Sequence, residues 1–485
     1  MNGNRREFLG QVAGAAALGM AGAGAMGPSN NDVNPPPPNI IHIISHDMGA
    51  HLGCYNRKVA TPNFDRLAAR GIRFQNYFCT APQCSPSRGS ILTGLYPHRN
   101  GLIGLSHIGW TIRSDVKTMP QYLNELGYET YLVGGHHEAL IEAEGYEARL
   151  KEARSLGYRH YLSTAELDQW DTFHYIGSCY RRLEENVESI RGSGRPFFLN
   201  IGTHGAHRPF QESKWGVRYE ADKEEEVEIP AYLPDRKGIR EDIAFLNGQV
   251  KREDEFVGKM LELFENQGML ENTLVVLTTD HGIAMPRAKG MLYDPGIENY
   301  LIMYMKGRFE GGKSYPELLS NVDLLPTYLE LAGGRVPDGL DGRSFLALLE
   351  GRDYERRAHI FAEITWHDRY NPSRAVRTGR FKYIRNFGRR PRVYLPLDTY
   401  TGRAGDCMFQ DCYYFMREAE EFYDLESDPR EMRNRVDDPC FGGEVDRLRG
   451  MVEKWMQGSN DPLVQGDVPP TRRQLERITN TVYFN

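Results

Sequence analysis

The 485-residue sequence predicts an α/β fold, with a largely parallel central sheet sandwiched by helices and a smaller antiparallel sheet in a C-terminal subdomain. Three observations lead there. Short β-branched runs alternate with amphipathic helical stretches over most of the chain. Several of these runs end in Asp or His, where open α/β sheets carry their sites. Past about residue 355 the helical periodicity gives way to short extended runs separated by turn residues.

The elements follow in order. Asn39 to Ser45 is an apolar run bounded by prolines and by His46-Asp47-Met48-Gly49, and reads as a buried strand. Thr61 to Arg70 carries Thr-Pro at its start and Gly71 after its end, the punctuation of a helix. Ile72 to Phe78 alternates as a strand, Ser87 to Thr93 is helical and closed by Gly94, Met119 to Glu125 is helical, and Tyr128 to Val133 is extended. Pro196 to Ile201 is a strand running into Thr203-His204, Asp242 to Gln267 a long amphipathic helix, and Thr273 to Thr279 a strand ending at Asp280-His281-Gly282. In the last part His359 to Ile364, Ala375 to Thr378 and Phe381 to Asn386 are extended, and a short helix begins at Met451. The predicted division is a catalytic domain over 39–355 and a C-terminal subdomain over 356–485.

Composition excludes some classes. Hydrophobic residues at 40% and charged residues at 26% describe an ordinary globular chain, and a net charge of −7 argues against nucleic acid as a partner. Arg5-Arg6 ahead of the uncharged Ala/Gly-rich run Gly10 to Ala25 reads as a twin-arginine export signal over 1–25, with Ala23-Gly24-Ala25 as the cleavage site. A membrane anchor fits less well, since about 18 weakly apolar residues reach only the short limit of a span. Residues 26–38, ending in four prolines, read as a stiff linker. The expected location is therefore periplasmic or extracellular, without a stable membrane anchor. Export permits oxidation of cysteines. Setting Cys84 aside leaves six of the seven, whose pairing the sequence leaves open.

Cys84-Ser85-Pro86-Ser87-Arg88-Gly89 carries the chemistry. A cysteine at a helix start, beside free backbone N–H groups and with an arginine one turn on, makes a point attractive to an anion. The segment Cys84 to Gly94 resembles the signature of the type I sulfatases, within the alkaline phosphatase superfamily. In that family the cysteine of Cys-x-Pro-x-Arg is oxidised to formylglycine, so a formylglycine-generating enzyme or a radical maturase is an implied partner.

The resemblance implies the remaining site. His46, Asp47, Asp280 and His281 would hold a divalent metal together with residue 84. Calcium is the expected ion, with manganese, magnesium or zinc as alternatives, because His46 stands where the family usually has Asp and imidazole favours softer ions. His204 matches the histidine that meets the leaving group, Lys289 a sulfate-binding lysine, and His137 a second histidine. The family's Gly-Lys-x-His reads Gly134-Gly135-His136-His137 here, so its lysine is missing. In the implied mechanism residue 84 attacks sulfur, the metal, Arg88 and Lys289 stabilise charge, His204 acts as general acid, and His137 takes a proton as sulfate leaves.

Within the family the chain looks most like the heparan N-sulfatase (sulfamidase) branch. The matches are Cys-Ser-Pro-Ser-Arg, Asn100-Gly101 with Gly104-Leu105, and Ser373 to Arg377; Glu421 to Leu425 before Asp428-Pro429 is common in sulfatase C-terminal subdomains. The expected substrate is a sulfated saccharide, with N-sulfoglucosamine of a heparan-type glycan as one form. Rival readings are a phosphonate or phosphate diester hydrolase on the same scaffold and a non-catalytic polysaccharide-binding relative. Arg369 to Arg392 holds nine Arg or Lys residues and no acid, and reads either as a solvated hairpin or as a positive rim for a polyanion. Oligomeric state stays open.

Overall fold

The computed structural model describes residues 36–139, 146–162, 172–210, 220–309 and 311–480, so the predicted export signal lies outside the described residues. Nine strands form one sheet: β1 Asn39–Ser45, β2 Ile72–Phe78, β3 Glu129–Gly134, β4 His160–Leu162, β5 Phe197–Gly202, β6 Thr273–Thr279, β7 Glu298–Asn299, β8 Leu301–Met305 and β9 Lys313–Ser320. Their order is β4-β3-β5-β1-β6-β8-β2-β7, with β9 also paired to β2. From β4 to β6 every pairing is parallel.

β1 lies at the centre and all its residues past Asn39 are buried. Its unbroken Ile-rich run follows from that, because a central parallel strand is covered on both faces. The period of two still divides the work. Ile41 and Ile43 join one hydrophobic core with Val275 and Leu277, while Ile40 and Ile44 join the other with Leu274 and Val276.

The register aligns the strand ends. Ser45 pairs with Thr279 of β6, Ile44 with Gly202 of β5, and Gly202 with Gly134 of β3. His46-Asp47, Asp280-His281, Thr203-His204 and Gly135-His136-His137 therefore leave the sheet side by side. Close approach of two of these loops needs a glycine: a Cβ on Gly202 would lie 2.0 Å from the Gly135 carbonyl oxygen.

Helix limits differ from expectation in physically readable ways. The helix read as Ser87 to Thr93 begins at Cys84. Pro86 delays nothing, since the first-turn N–H groups have no intrahelical partner anyway. Its end is as expected, with Gly94 at φ 65°. The long helix spans Lys237–Asn266, starting five residues before the predicted Asp242.

A separate antiparallel sheet runs β10 His359–Trp366, β11 Tyr370–Thr378, β12 Phe381–Asn386 and β13 Glu420–Asp424. The helix expected from Met451 begins at Gly442 and ends at Gly458. Its apolar stripe Val445, Leu448, Val452, Met456 packs on Val376, Tyr383 and Phe422 of this sheet. Among the described residues no helix is long and apolar enough to cross a membrane. All seven cysteines are free thiols.

The basic run is corrected by its pairing. Arg374 is fully buried and donates to Asp461 at 2.9 Å, Arg377 lies 3.2 Å from Asp294, Lys382 2.7 Å from Glu431, Arg380 2.9 Å from Asp424 and Arg385 3.0 Å from Glu453. Four of these cations tie the small sheet to its surroundings, Arg380 braces the sheet itself through Asp424 of β13, and the five do not form a positive rim. The matching acids lie far off in sequence, so local composition hid them. Asp461→Ala leaves Arg374 buried without its bidentate partner and is expected to cost about 3–5 kcal/mol, read as a lowered urea midpoint.

Candidate active site

The site is built from four strand ends and one helix start. Cys84 stands in the first turn of the buried helix Cys84–Thr93, with Sγ 3.2 Å from His281 Nε2, 3.8 Å from Asp47 Oδ1 and 3.9 Å from His46 Nδ1. Asp47 occupies the left-handed region at φ 54°, uncommon for a residue with a Cβ, so the turn after β1 aims its carboxylate at the cost of local strain.

Each carboxylate is fully engaged. Asp280 Oδ1 accepts the backbone N–H groups of Asp47 (3.0 Å) and His281 (2.9 Å), and its Oδ2 accepts Arg88 Nε at 2.9 Å. Asp47 Oδ1 lies 2.7 Å from His46 Nδ1 and 2.9 Å from His281 Nε2, while its Oδ2 accepts Lys289 Nζ at 2.6 Å. Burial opposes charge on both carboxylates. Lys289, His281 and His46 outweigh it at Asp47, and His46, His281 and Arg88 outweigh it at Asp280, so both titrate below the usual carboxylate range.

The imidazoles divide into two kinds. Burial pushes His46 down to about 4 against the pull of Asp280 and Asp47, and burial also lowers His137 and His204 well below the ordinary histidine value, so these three are neutral near pH 7. His281 is also opposed by burial, yet Asp280 and Asp47 raise it above the ordinary histidine value. The Nδ1–H of His281 donates to the Gly282 carbonyl at 2.9 Å, which turns Nε2 toward the carboxylates. Burial raises the Cys84 thiol well above its usual range.

His46 links this cluster to the other two histidines. Its Nε2 is 3.4 Å from His137 Nδ1, and its ring centroid is 4.7 Å from that of His204. The nine residues singled out in the sequence thus form one contiguous group. Five of them, His46, Asp47, Cys84, Asp280 and His281, are all buried and offer ligand atoms within 4.8 Å of one another, a possible metal-binding cluster.

Three further residues at the site were not assigned from the sequence. Asp398, in the short helix Leu397–Tyr400, accepts Lys289 Nζ at 2.6 Å. It arrives because Tyr394 and Pro396 pack on Gly290, whose φ of 83° and lack of a Cβ bring the two segments together. Nothing near Asp398 in sequence signals this. His207, three residues after His204 in the same segment, has its ring 4.8 Å from His46 and lies 4.0 Å from Asp398. Where the family's lysine is missing, Glu138 lies 3.8 Å from Arg88, so this loop brings a carboxylate toward the arginine.

Comparison with known proteins gives a family profile, similar sequences and a shared fold. The Sulfatase family profile matches residues 38–334, and that of the N-sulphoglucosamine sulphohydrolase C-terminal region matches 285–397. The chain is 27% identical to human N-sulphoglucosamine sulphohydrolase, covering 88% of this chain and 91% of that one. It is also 27% identical to an ulvan-active sulfatase of Formosa agariphila, with 88% and 76% covered. A solved structure, an enzyme bound to its substrate D-glucosamine-2-N,6-O-disulfate, shares the fold at TM-score 0.64 and 20% identity, over 88% of this chain and 98% of that one. A profile match over more than half of the chain, on this sheet and around this cysteine cluster, makes the protein a hydrolase of the sulfatase family.

Proposed function

We propose that the protein is an exported, divalent-metal-dependent sulfatase whose substrate is an N-sulfated glucosamine of a heparan-type glycan. The observation that carries the reading is the position of Cys84, at a buried helix start with Sγ 3.2 Å from His281 in a ring of two carboxylates and two imidazoles. The saccharide choice is supported by the C-terminal profile match over 285–397 and by the likeness to the human enzyme of that name. Arg5-Arg6 and the uncharged run after them support export.

The donor set fits a divalent cation, which His46, Asp47, Asp280, His281 and residue 84 would hold. Bound there, it would supply polarisation of a sulfate oxygen and offset the two buried carboxylates. Oxidised to formylglycine and hydrated, residue 84 supplies one hydroxyl to attack sulfur and a second through which sulfate is expelled and the aldehyde restored. Arg88 and Lys289 meet the non-bridging oxygens; both are already held in place, by Asp280 and by Asp47 with Asp398. His204 protonates the departing nitrogen or oxygen. Burial and His46 lower its proton affinity, and an anionic sulfate group beside it would raise it. His137 accepts the proton of the second hydroxyl.

Mass spectrometry of the Cys84 peptide, after production with a maturation enzyme, is expected to find formylglycine. An intact thiol in an active preparation, or full activity of Cys84→Ala, overturns the mechanism. Asp47→Asn and Asp280→Asn are each expected to lower kcat by about a thousandfold or more, close to 4 kcal/mol in barrier, and chelation to abolish turnover. His46→Asp replaces an imidazole by an oxygen donor and is expected to shift metal preference toward calcium, read by reloading stripped protein with calcium or manganese.

The leaving group separates the substrate classes. An amine needs its proton more than an aryl oxide does, so His204→Ala is expected to slow a sulfamate at least tenfold more than an aryl sulfate, about 1.4 kcal/mol in differential barrier. Rapid desulfation of an O-sulfated sugar with none of the N-sulfated one overturns the substrate while leaving the sulfatase. Faster turnover of aryl phosphonate esters than of any sulfate overturns both.

A further inference from the structure

The end of the acid-free run behaves unlike its beginning. Arg389 and Arg392 are exposed, and among the described residues their side chains make no hydrogen bond or ion pair. Arg390 lies over the Tyr370 ring, 5.3 Å from its centroid. This stretch is zipped to residues 412–417: Val393 N–H donates to the Cys412 carbonyl at 3.2 Å, Arg392 N–H to that of Phe415 at 2.7 Å and Arg417 N–H to that of Arg390 at 3.0 Å, with Pro391 bridged to Met416.

The partner segment exposes Tyr414 (70%), Phe415 (61%) and Met416 (53%), half of the six large hydrophobics that are exposed among the described residues. One short ribbon therefore presents arginines along one edge and aromatic rings along the other. A cluster of exposed apolar side chains marks an interaction surface. A purely apolar partner would strip water from the guanidinium groups without replacing their hydrogen bonds. A sulfated sugar chain satisfies both edges: pyranose C–H faces lie on aromatic rings, and sulfate oxygens take guanidinium bidentately. Of the nearby acids, Asp411 is paired with Arg236, and Glu418, exposed and next to Arg417 opposite Arg390, lies across the ribbon beside Arg389, which leaves Arg392 as the arginine nearer the aromatic rings.

The ribbon is joined to the site by a short stretch of chain. From Arg392 the chain runs through Tyr394 and Pro396, packed on Gly290, to Asp398 beside Lys289. Six residues separate Arg392 from Asp398, at most about 21 Å of chain.

We propose that Arg389, Arg392, Tyr414 and Phe415 form a second saccharide-binding site, which holds the body of a sulfated polysaccharide while its end enters the pocket. The proposal rests on the sulfated-saccharide reading above and adds where the rest of the chain lies. Two full-length double variants test it, Arg389→Ala/Arg392→Ala and Tyr414→Ala/Phe415→Ala. For each, kcat/KM on heparan sulfate chains is expected to fall about tenfold, kcat/KM on the N-sulfated monosaccharide to stay at the wild-type value, and elution from immobilised heparin to move to lower salt.

Equal losses on both substrates, or none on the polymer, overturn the site. So does light scattering that finds a wild-type dimer dissociated by these changes with polymer turnover intact, which assigns the surface to a second copy of the chain. If the wild type desulfates no saccharide, the substrate reading fails and heparin elution still decides. A shift in both variants then supports the surface, and no shift overturns it.

Discussion

Two carboxylates sit in the interior of this protein with their oxygens inside a group of ligand atoms no more than 4.8 Å across. At an effective dielectric of about 20, like charges that close repel by about 3–4 kcal/mol, and burial adds a desolvation cost to each. The parallel register forces the arrangement, because Ser45 and Thr279 end their strands side by side and Asp47 and Asp280 follow. Everything around them answers that charge. Arg88 takes Asp280, Lys289 takes Asp47, two backbone N–H groups point at one oxygen, and His281 is drawn toward its charged form. A cation at the cluster would compete for the same negative charge, which is the physical basis for the metal proposed there.

The same charge pattern gives the sulfatase chemistry its handles. Two of the balancing cations, Arg88 and Lys289, are the groups proposed to meet sulfate oxygens. An anionic substrate therefore enters a field that is already oriented. Its binding does not require new side chains to be ordered, which is where preorganised sites gain most of their effect.

Much of this was legible in the sequence where a signal is local. β1 and β6 are dense β-branched runs, and the turns that follow them carry the acids within two residues of the strand end. The cysteine motif, its helix and Gly94 lie within eleven consecutive residues. What could not be read is long-range. Asp398 comes within 2.6 Å of Lys289 although 109 residues separate them, and Arg374 meets Asp461 across 87. β9 enters with Lys-Ser-Tyr-Pro-Glu, a segment whose proline argues against a strand; it pairs with β2 from Lys313 but is buried only from Glu317 onward. Composition over Arg374 to Arg385 described a charge without its partners, and the partners decided its meaning.

Lys289 is shared between Asp47 from the first strand's turn and Asp398 from the last third of the chain. During synthesis from the N-terminus, the sheet and both carboxylates of the cluster exist before Asp398 does. Until that residue emerges, Lys289 has one acidic partner of its two and the segment packed on Gly290 is absent. The charge balance of the finished pocket is thus a late event in the life of each chain, because the second acid that holds Lys289 is among its last-made parts.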